Sequence, residues 1–220
     1  MKKLLIFPII LFFMCASQQQ LITENHEIEV INKGIAGNNT TDLLKRVDRD
    51  VIKLNPNLVI IMAGTNDFCN DRKFVSADQY EKNLDKLIDK ITKNSKLILL
   101  TVPTIEWNKL FQRHNKSNYP QNYENLIDEC NEIIKSKNNE NVYIIDINHY
   151  FNNVGKSNWL IDGVHQTEEA NQTIAAVIYQ FLIDNMDRNK IQKIVCFGDS
   201  ITESRLTKLK YSDYLQKLLN

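Results

Sequence analysis

The stretch Ile194-Val195-Cys196-Phe197-Gly198-Asp199-Ser200 carries an apolar run of strand length straight into a tight turn that presents a serine. Four more apolar runs, at residues 27–31, 58–63, 97–102 and 142–147, share its length and its Ile, Val and Leu content, as strands covered on both faces require. Stretches of helical period lie between them. Leu44, Val47, Val51 and Leu54 form one apolar stripe, and Tyr80, Leu84, Leu87, Ile88 and Ile91 a second. Leu126, Ile127, Cys130, Ile133 and Ile134 form a third, and Ile174, Val177, Ile178, Phe181 and Leu182 a fourth. Ser76 with Gln79 offers the second helix a capping box, and residues 211–219 make a short fifth helix. This alternation predicts βαβ units around a mostly parallel sheet.

A chain of 220 residues is long enough for one large α/β domain, and no Pro/Gly/Ser-rich linker or charge run divides it. The expected organisation is a leader over residues 1–17 and a single domain over 18–220. The 27 basic and 27 acidic residues cancel without a concentrated basic stretch, which argues against nucleic acid as a partner. Met1-Lys2-Lys3 precedes the apolar run from Leu4 to Met14, which is too short to span a bilayer and has the form of a secretory signal. The protein is therefore expected to be exported: secreted, periplasmic or lipid-anchored at the cell surface. Cys15 offers a lipidation site, although Phe13 and Met14 before it are bulky for one; cleavage after Ser17 and an uncleaved anchor are the competing readings. Contact with a membrane is expected only through such an anchor. Cys69, Cys130 and Cys196 lack paired metal-type spacing, so neither a disulfide framework nor a zinc site is expected, and no metal or organic cofactor is called for. Cys196 in a strand and Cys130 on an apolar helix face read as buried small hydrophobes.

In an open parallel sheet, ligand-binding groups gather beyond the carboxyl ends of the strands. Four short blocks fall on that edge: Gly198-Asp199-Ser200, Asn32-Lys33-Gly34-Ile35-Ala36-Gly37-Asn38, Gly64-Thr65-Asn66-Asp67 and Asp162-Gly163-Val164-His165. Taken singly, Gly37 reads as a turn glycine and Asn66 as a loop cap. A serine hydroxyl is a poor nucleophile without a base to take its proton, and His165, with Asp162 three residues earlier, is the candidate pair. Asp146-Ile147-Asn148-His149 has the same spacing, but Asp146 reads as part of a strand and Tyr150-Phe151 suggests local packing. His26 and His114 read as ordinary surface or loop histidines.

Taken together, the four blocks resemble those of the SGNH, or GDSL-type, esterase and lipase family, with one difference of order. The family begins with its serine block, whereas here that block comes last. The resemblance implies a flavodoxin-like three-layer α/β/α fold with a five-stranded parallel sheet, circularly permuted. The serine strand, residues 194–197, is then expected between strands 27–31 and 58–63, residues 187–193 form the new join, and Asn220 lies near residues 21–27. By the same resemblance Ser200, His165 and Asp162 are catalytic. The backbone N–H groups of Ser200 and Gly37 and the side-chain amide of Asn66 form the oxyanion hole, with Asp199 and Asp67 in supporting roles. The family often carries glycine four residues after the serine, where this chain has Ser204. The implied activity is hydrolysis of carboxylic esters, with short acyl or acetyl groups on carbohydrate expected for an exported enzyme. Lysophospholipid or thioester cleavage, acyl transfer and a binding module without turnover remain the alternatives. The connection 103–122, with Trp107, Phe111, Arg113 and Tyr119, reads equally as a substrate wall or a solvated loop. A monomer is expected, with exchange of the terminal strand-helix unit between two chains as the other route to a complete site.

Overall fold

Strands whose side chains are apolar on both faces need cover on both sides, and the computed structural model, which describes residues 27–154 and 158–220, provides it. The first half of the chain runs β1 (Glu29–Gly34), α1 (Thr40–Asp50), β2 (Leu58–Met62), α2 (Thr65–Cys69), α3 (Ala77–Ile91) and β3 (Lys96–Leu100). The second half runs α4 (Trp107–Leu110), α5 (Leu126–Ser136), β4 (Val142–Ile145), α6 (Ile147–Asn153), α7 (Glu168–Asn185), β5 (Lys193–Gly198), α8 (Ser200–Glu203) and α9 (Tyr211–Leu219). The sheet is parallel throughout, in the order β1-β5-β2-β3-β4. One core, including Val47, Tyr80, Leu84, Cys130 and Phe197, fills one side of it. The other, including Ile60, Ile174, Ile178, Cys196 and Tyr211, fills the opposite side.

The last strand therefore sits between the first two. Its register aligns Gly198 with Gly34 of β1 and with Met62 of β2, so three strands end level and their following loops leave the same edge. At the opposite end Asn220 closes the sheet by accepting the backbone N–H of Ile28 at 3.0 Å. The predicted leader, Cys15 and His26 lie outside the described residues.

Several local readings change. Asp146 does not lie in a strand: β4 stops at Ile145, and Asp146 caps α6 by accepting the His149 backbone N–H at 2.9 Å. In α1 it is Leu43 rather than Leu44 that is fully buried, and Leu54 belongs to a separate 3₁₀ turn at Ile52–Leu54. Ser76 caps α3 through the Gln79 N–H, but the Gln79 side chain bonds Asn83 instead of returning to the cap, so half of the box forms.

Arg46 is the buried charge that this arrangement requires. Its guanidinium bonds carbonyls at the ends of two strands, Lys33 O at 2.9 Å and Gly198 O at 2.7 Å, the second of which also accepts the Ile35 N–H at 3.1 Å. It also donates to Asn38 Oδ1 at 2.7 Å and to Asp50 Oδ2 at 3.0 Å, and stacks over the Phe197 ring at 4.4 Å. Asp50 is held at about 2 by Arg49 and Arg46 against the effect of burial. Removing one partner of a buried charged network leaves the others uncompensated, at a cost of about 3 kcal/mol. Arg46→Met should lower the unfolding free energy by that amount, read as a lower urea midpoint at unchanged m-value; a loss under about 0.5 kcal/mol would show that the clamp is dispensable.

Candidate active site

Ser200 opens α8 immediately beyond β5. Asp199 caps this short helix by accepting the Ile201 N–H at 2.9 Å. The turn closes at Ser204, which has φ 51° and ψ 55°, a left-handed conformation that glycine adopts more easily. Here the serine supplies what glycine lacks: its hydroxyl accepts from Asn171 Nδ2 at 2.9 Å and pairs with Thr207 Oγ1 at 3.0 Å, tying the turn to α7.

His165 comes from the opposite wall. Leu160 bridges Gln166, and the Ile161 N–H donates to the His165 carbonyl at 2.8 Å, so residues 160–166 form a narrow loop with Asp162 and Gly163 at its tip. Asp162 Oδ1 accepts the backbone N–H groups of His165 at 2.9 Å and Val164 at 3.2 Å. Its Oδ2 lies 2.9 Å from His165 Nδ1, and His165 Nε2 lies 3.0 Å from Ser200 Oγ. Burial alone would raise the Asp162 carboxyl, but the backbone N–H and ring of His165 outweigh it and draw it down to about 2. Asp162 is thus ionised at neutral pH, as a partner for a ring accepting a serine proton must be.

Gly37 and Asn66 stand beside the serine. Gly37 has φ 74°, a left-handed conformation that glycine adopts without strain, in the turn after β1 that lines the cleft. The adjoining Ala36 N–H is fixed by Glu203 Oε2 at 2.7 Å, a bond from the serine helix to this loop. Among the described residues, neither the Gly37 nor the Ser200 N–H has a protein acceptor. The Asn66 amide is differently placed at rest: its Nδ2 donates to Asn38 O at 3.1 Å and to Asp199 Oδ2 at 3.2 Å, both long. A substrate oxygen would have to replace one of these bonds.

The two other acids brace the loops. Asp67 accepts from Thr40 N at 3.0 Å and from the Thr40 hydroxyl, joining α2 to the start of α1. Burial pushes Asp67 up to about 6, against those bonds, and pushes Asp199 up to about 7, against the Ile201 N–H and the Asn66 amide.

One cleft of 250 Å³ contains Ala36, Gly37, Asn66, His165 and Ser200, with Cys69, Leu110, Arg113 and His114 also in its wall. The connection 103–122 therefore divides. Trp107, Phe111 and Tyr119 pack on one another and on Tyr123 as a structural cluster, while Leu110, Arg113 and His114 face the cleft. His114 is thus not an ordinary loop histidine; its Nδ1 lies 2.7 Å from Asp71 Oδ1. The rival Asp146 bonds Lys135 and Thr101, and His149 is exposed, so that pair does not assemble. Arg113 also reaches Asp162, a contact that no local pattern announces because 49 residues separate them.

A family model, GDSL-like lipase/acylhydrolase, matches residues 15–178 of the chain and stops short of the serine. An acetylxylan esterase of Geobacillus stearothermophilus is 39% identical over 83 residues, which are 34% of this chain and 38% of that protein. An uncharacterised lipoprotein of Bacillus subtilis, YqeF, is 34% identical over 90 residues, 39% of this chain and 37% of its own. The chain therefore spans under two fifths of the length of these curated relatives. Among solved structures, a GDSL-like lipase of Bacteroides thetaiotaomicron superposes with a TM-score of 0.53 at 26% identity, covering 70% of this chain and 75% of that one. A mutant of Axe2, an acetyl-xylooligosaccharide esterase of Geobacillus, gives 0.51 at 27% identity, over 68% and 69%. With three quarters of its length under the family model and the same parallel sheet as these structures, the chain belongs to the GDSL-like lipase/acylhydrolase family.

Proposed function

We propose that the chain is an exported serine esterase that removes short acyl groups, acetyl above all, from carbohydrate esters through an acyl-enzyme on Ser200. The observation that carries this is the unbroken line from Ser200 Oγ to His165 Nε2 at 3.0 Å and from His165 Nδ1 to Asp162 Oδ2 at 2.9 Å, inside a cleft that also holds Gly37 and Asn66. Ser200 Oγ attacks the ester carbonyl carbon while its proton passes to His165 Nε2. The charge that develops on the carbonyl oxygen is met by the N–H groups of Ser200 and Gly37 and by the Asn66 amide. His165 returns the proton to the leaving alcohol, then takes one from the water that attacks the acyl carbonyl and passes it to Ser200 Oγ as the acyl–serine bond breaks. A cleft of 250 Å³ suits a small acyl group and part of a sugar better than a long chain, and similarity to the acetylxylan esterase points to the same substrate class.

Export is supported by the basic and apolar start of the sequence and by similarity to a protein named a lipoprotein. Among the described residues no helix is long and apolar enough to cross a membrane. Circular permutation is supported by the place of β5 between β1 and β2 and by a family match that ends at residue 178. The bond from Asn220 to Ile28 brings the two ends of the folded chain together, which favours closure within one chain.

Ser200→Ala should abolish labelling by a fluorophosphonate probe and cut hydrolysis of acetylated xylo-oligosaccharide by about 10³-fold or more. Label on Ser204 or Ser212 would move the nucleophile elsewhere, and a preference for lysophospholipid or thioester in an ester-library screen would overturn the substrate class.

Asn66→Ala should lower kcat by about 10²-fold with a smaller change in KM, because the amide serves the oxyanion more than the bound ester. Its bonds to Asn38 and Asp199 mean that the same change should cost about 1–2 kcal/mol of stability in urea unfolding. An unchanged kcat would remove Asn66 from the oxyanion site.

A chain in which residues 190–220 are moved ahead of residue 21 should fold and retain hydrolysis. Loss of both, with the parent active under the same conditions, would count against permutation as a simple relocation.

A further inference from the structure

Asp162 Oδ2 is shared. His165 Nδ1 lies 2.9 Å from it, and Arg113 Nη1 donates to the same oxygen at 2.5 Å. Arg113 Nη2 donates to the Asp162 backbone carbonyl at 3.2 Å, so the guanidinium grips the residue at two points. With Oδ1 taken by two backbone N–H groups, the carboxylate has no rotational freedom left while Arg113 is in place. The arginine belongs to the connection 103–122, whose cover over the loop is completed by the Glu106 N–H bond to the Gly163 carbonyl at 2.9 Å.

We infer that Arg113 is a positioning residue: it holds the Asp162 carboxylate against His165 and offsets part of the negative charge with which Asp162 favours the protonated ring. The inference rests on the assignment of Ser200, His165 and Asp162 as the reacting set. A cation on the oxygen that faces the imidazole opposes its protonation, so the base stays competent to lower pH than it would beside an unshared carboxylate. The other charged groups around the ring are accounted for in place. Asp199 is fully buried behind Ser200, His114 faces Asp71, and Lys109, whose stem touches the Gly163 side of the loop, pairs with Glu106 at 2.7 Å. Arg113 alone among them bonds the acid. Its side chain is 41% exposed, so the effect is that of a screened charge and should be modest.

The test is the acid limb of kcat/KM for 4-nitrophenyl acetate, measured in the full chain. Arg113→Ala and Arg113→Gln should move that limb to higher pH by about half a unit, while Arg113→Lys, which keeps the charge, should leave it near the parent's position. If the limb stays put in Ala and Gln, even with a uniform fall in kcat, Arg113 is merely structural and the inference is overturned. A shift of the limb in Lys as large as in Ala would equally remove the charge from the explanation. Probe labelling of the same proteins separates this from failure of the underlying assignment: label on Ser200 with an unmoved limb sinks only the arginine, whereas hydrolysis that survives Ser200→Ala sinks the site itself.

Discussion

A guanidinium beneath the catalytic edge of the sheet holds the molecule's working parts in register. Arg46 bonds the last carbonyl of β5 and a carbonyl near the end of β1, and also Asn38. Those two strands deliver Ser200 and the Gly37 loop, so one side chain bonds the ends of both strands that lead into the cleft. Planar, multidentate donation is what an ammonium could not reproduce here. Around this point the other braces are of the same kind, polar groups of one loop satisfied by another: Glu203 on Ala36, Asp67 on Thr40, Asp199 on Asn66. The site is a net of such bonds set on an apolar sheet, and the sheet's level strand ends are what bring the loops within reach.

The elements that rest on local pattern were readable from the sequence. All five strands fall within a few residues of their apolar runs, and the place of β5 between β1 and β2 followed from the order of the four blocks. Ser200, His165, Gly37 and Asn66 line one cleft, and Asp162 bonds the far side of the His165 ring. What escaped was either a boundary or a long-range contact. Asp146 follows an apolar run and looks like its continuation until its side chain is seen to cap the next helix. Arg46, a charge on the face of α1 that also carries Val47, has no local mark of burial, because its partners are backbone carbonyls elsewhere in the chain. Arg113 and His114 were visible as residues of a long connection, but which side of it faces the cleft depends on how Trp107, Phe111 and Tyr119 pack. The resting partners of the Asn66 amide are of the same class, set by distance in space.

Ser204 shows how a departure from the family pattern can be absorbed. The left-handed turn persists with a side chain present, and the hydroxyl turns the conformational cost into a tether to Asn171 on α7. The helix that follows His165 and the turn that follows Ser200 are thereby joined.

The position of β5 also bears on the order in which the protein comes into being. A ribosome delivers β1 and β2 well before the strand that separates them, and the pairing partners of β1 lie over 160 residues downstream. Until residues 193–220 emerge, β1 has no strand to pair with and β2 keeps one open edge, a state prone to wrong partners and slow to resolve because its closing contacts are distant in sequence. Ser200 arrives with the same segment. A chain cut before β5 would lack both the strand that joins β1 to β2 and Ser200, so assembly of the sheet and completion of the cleft depend on one and the same segment.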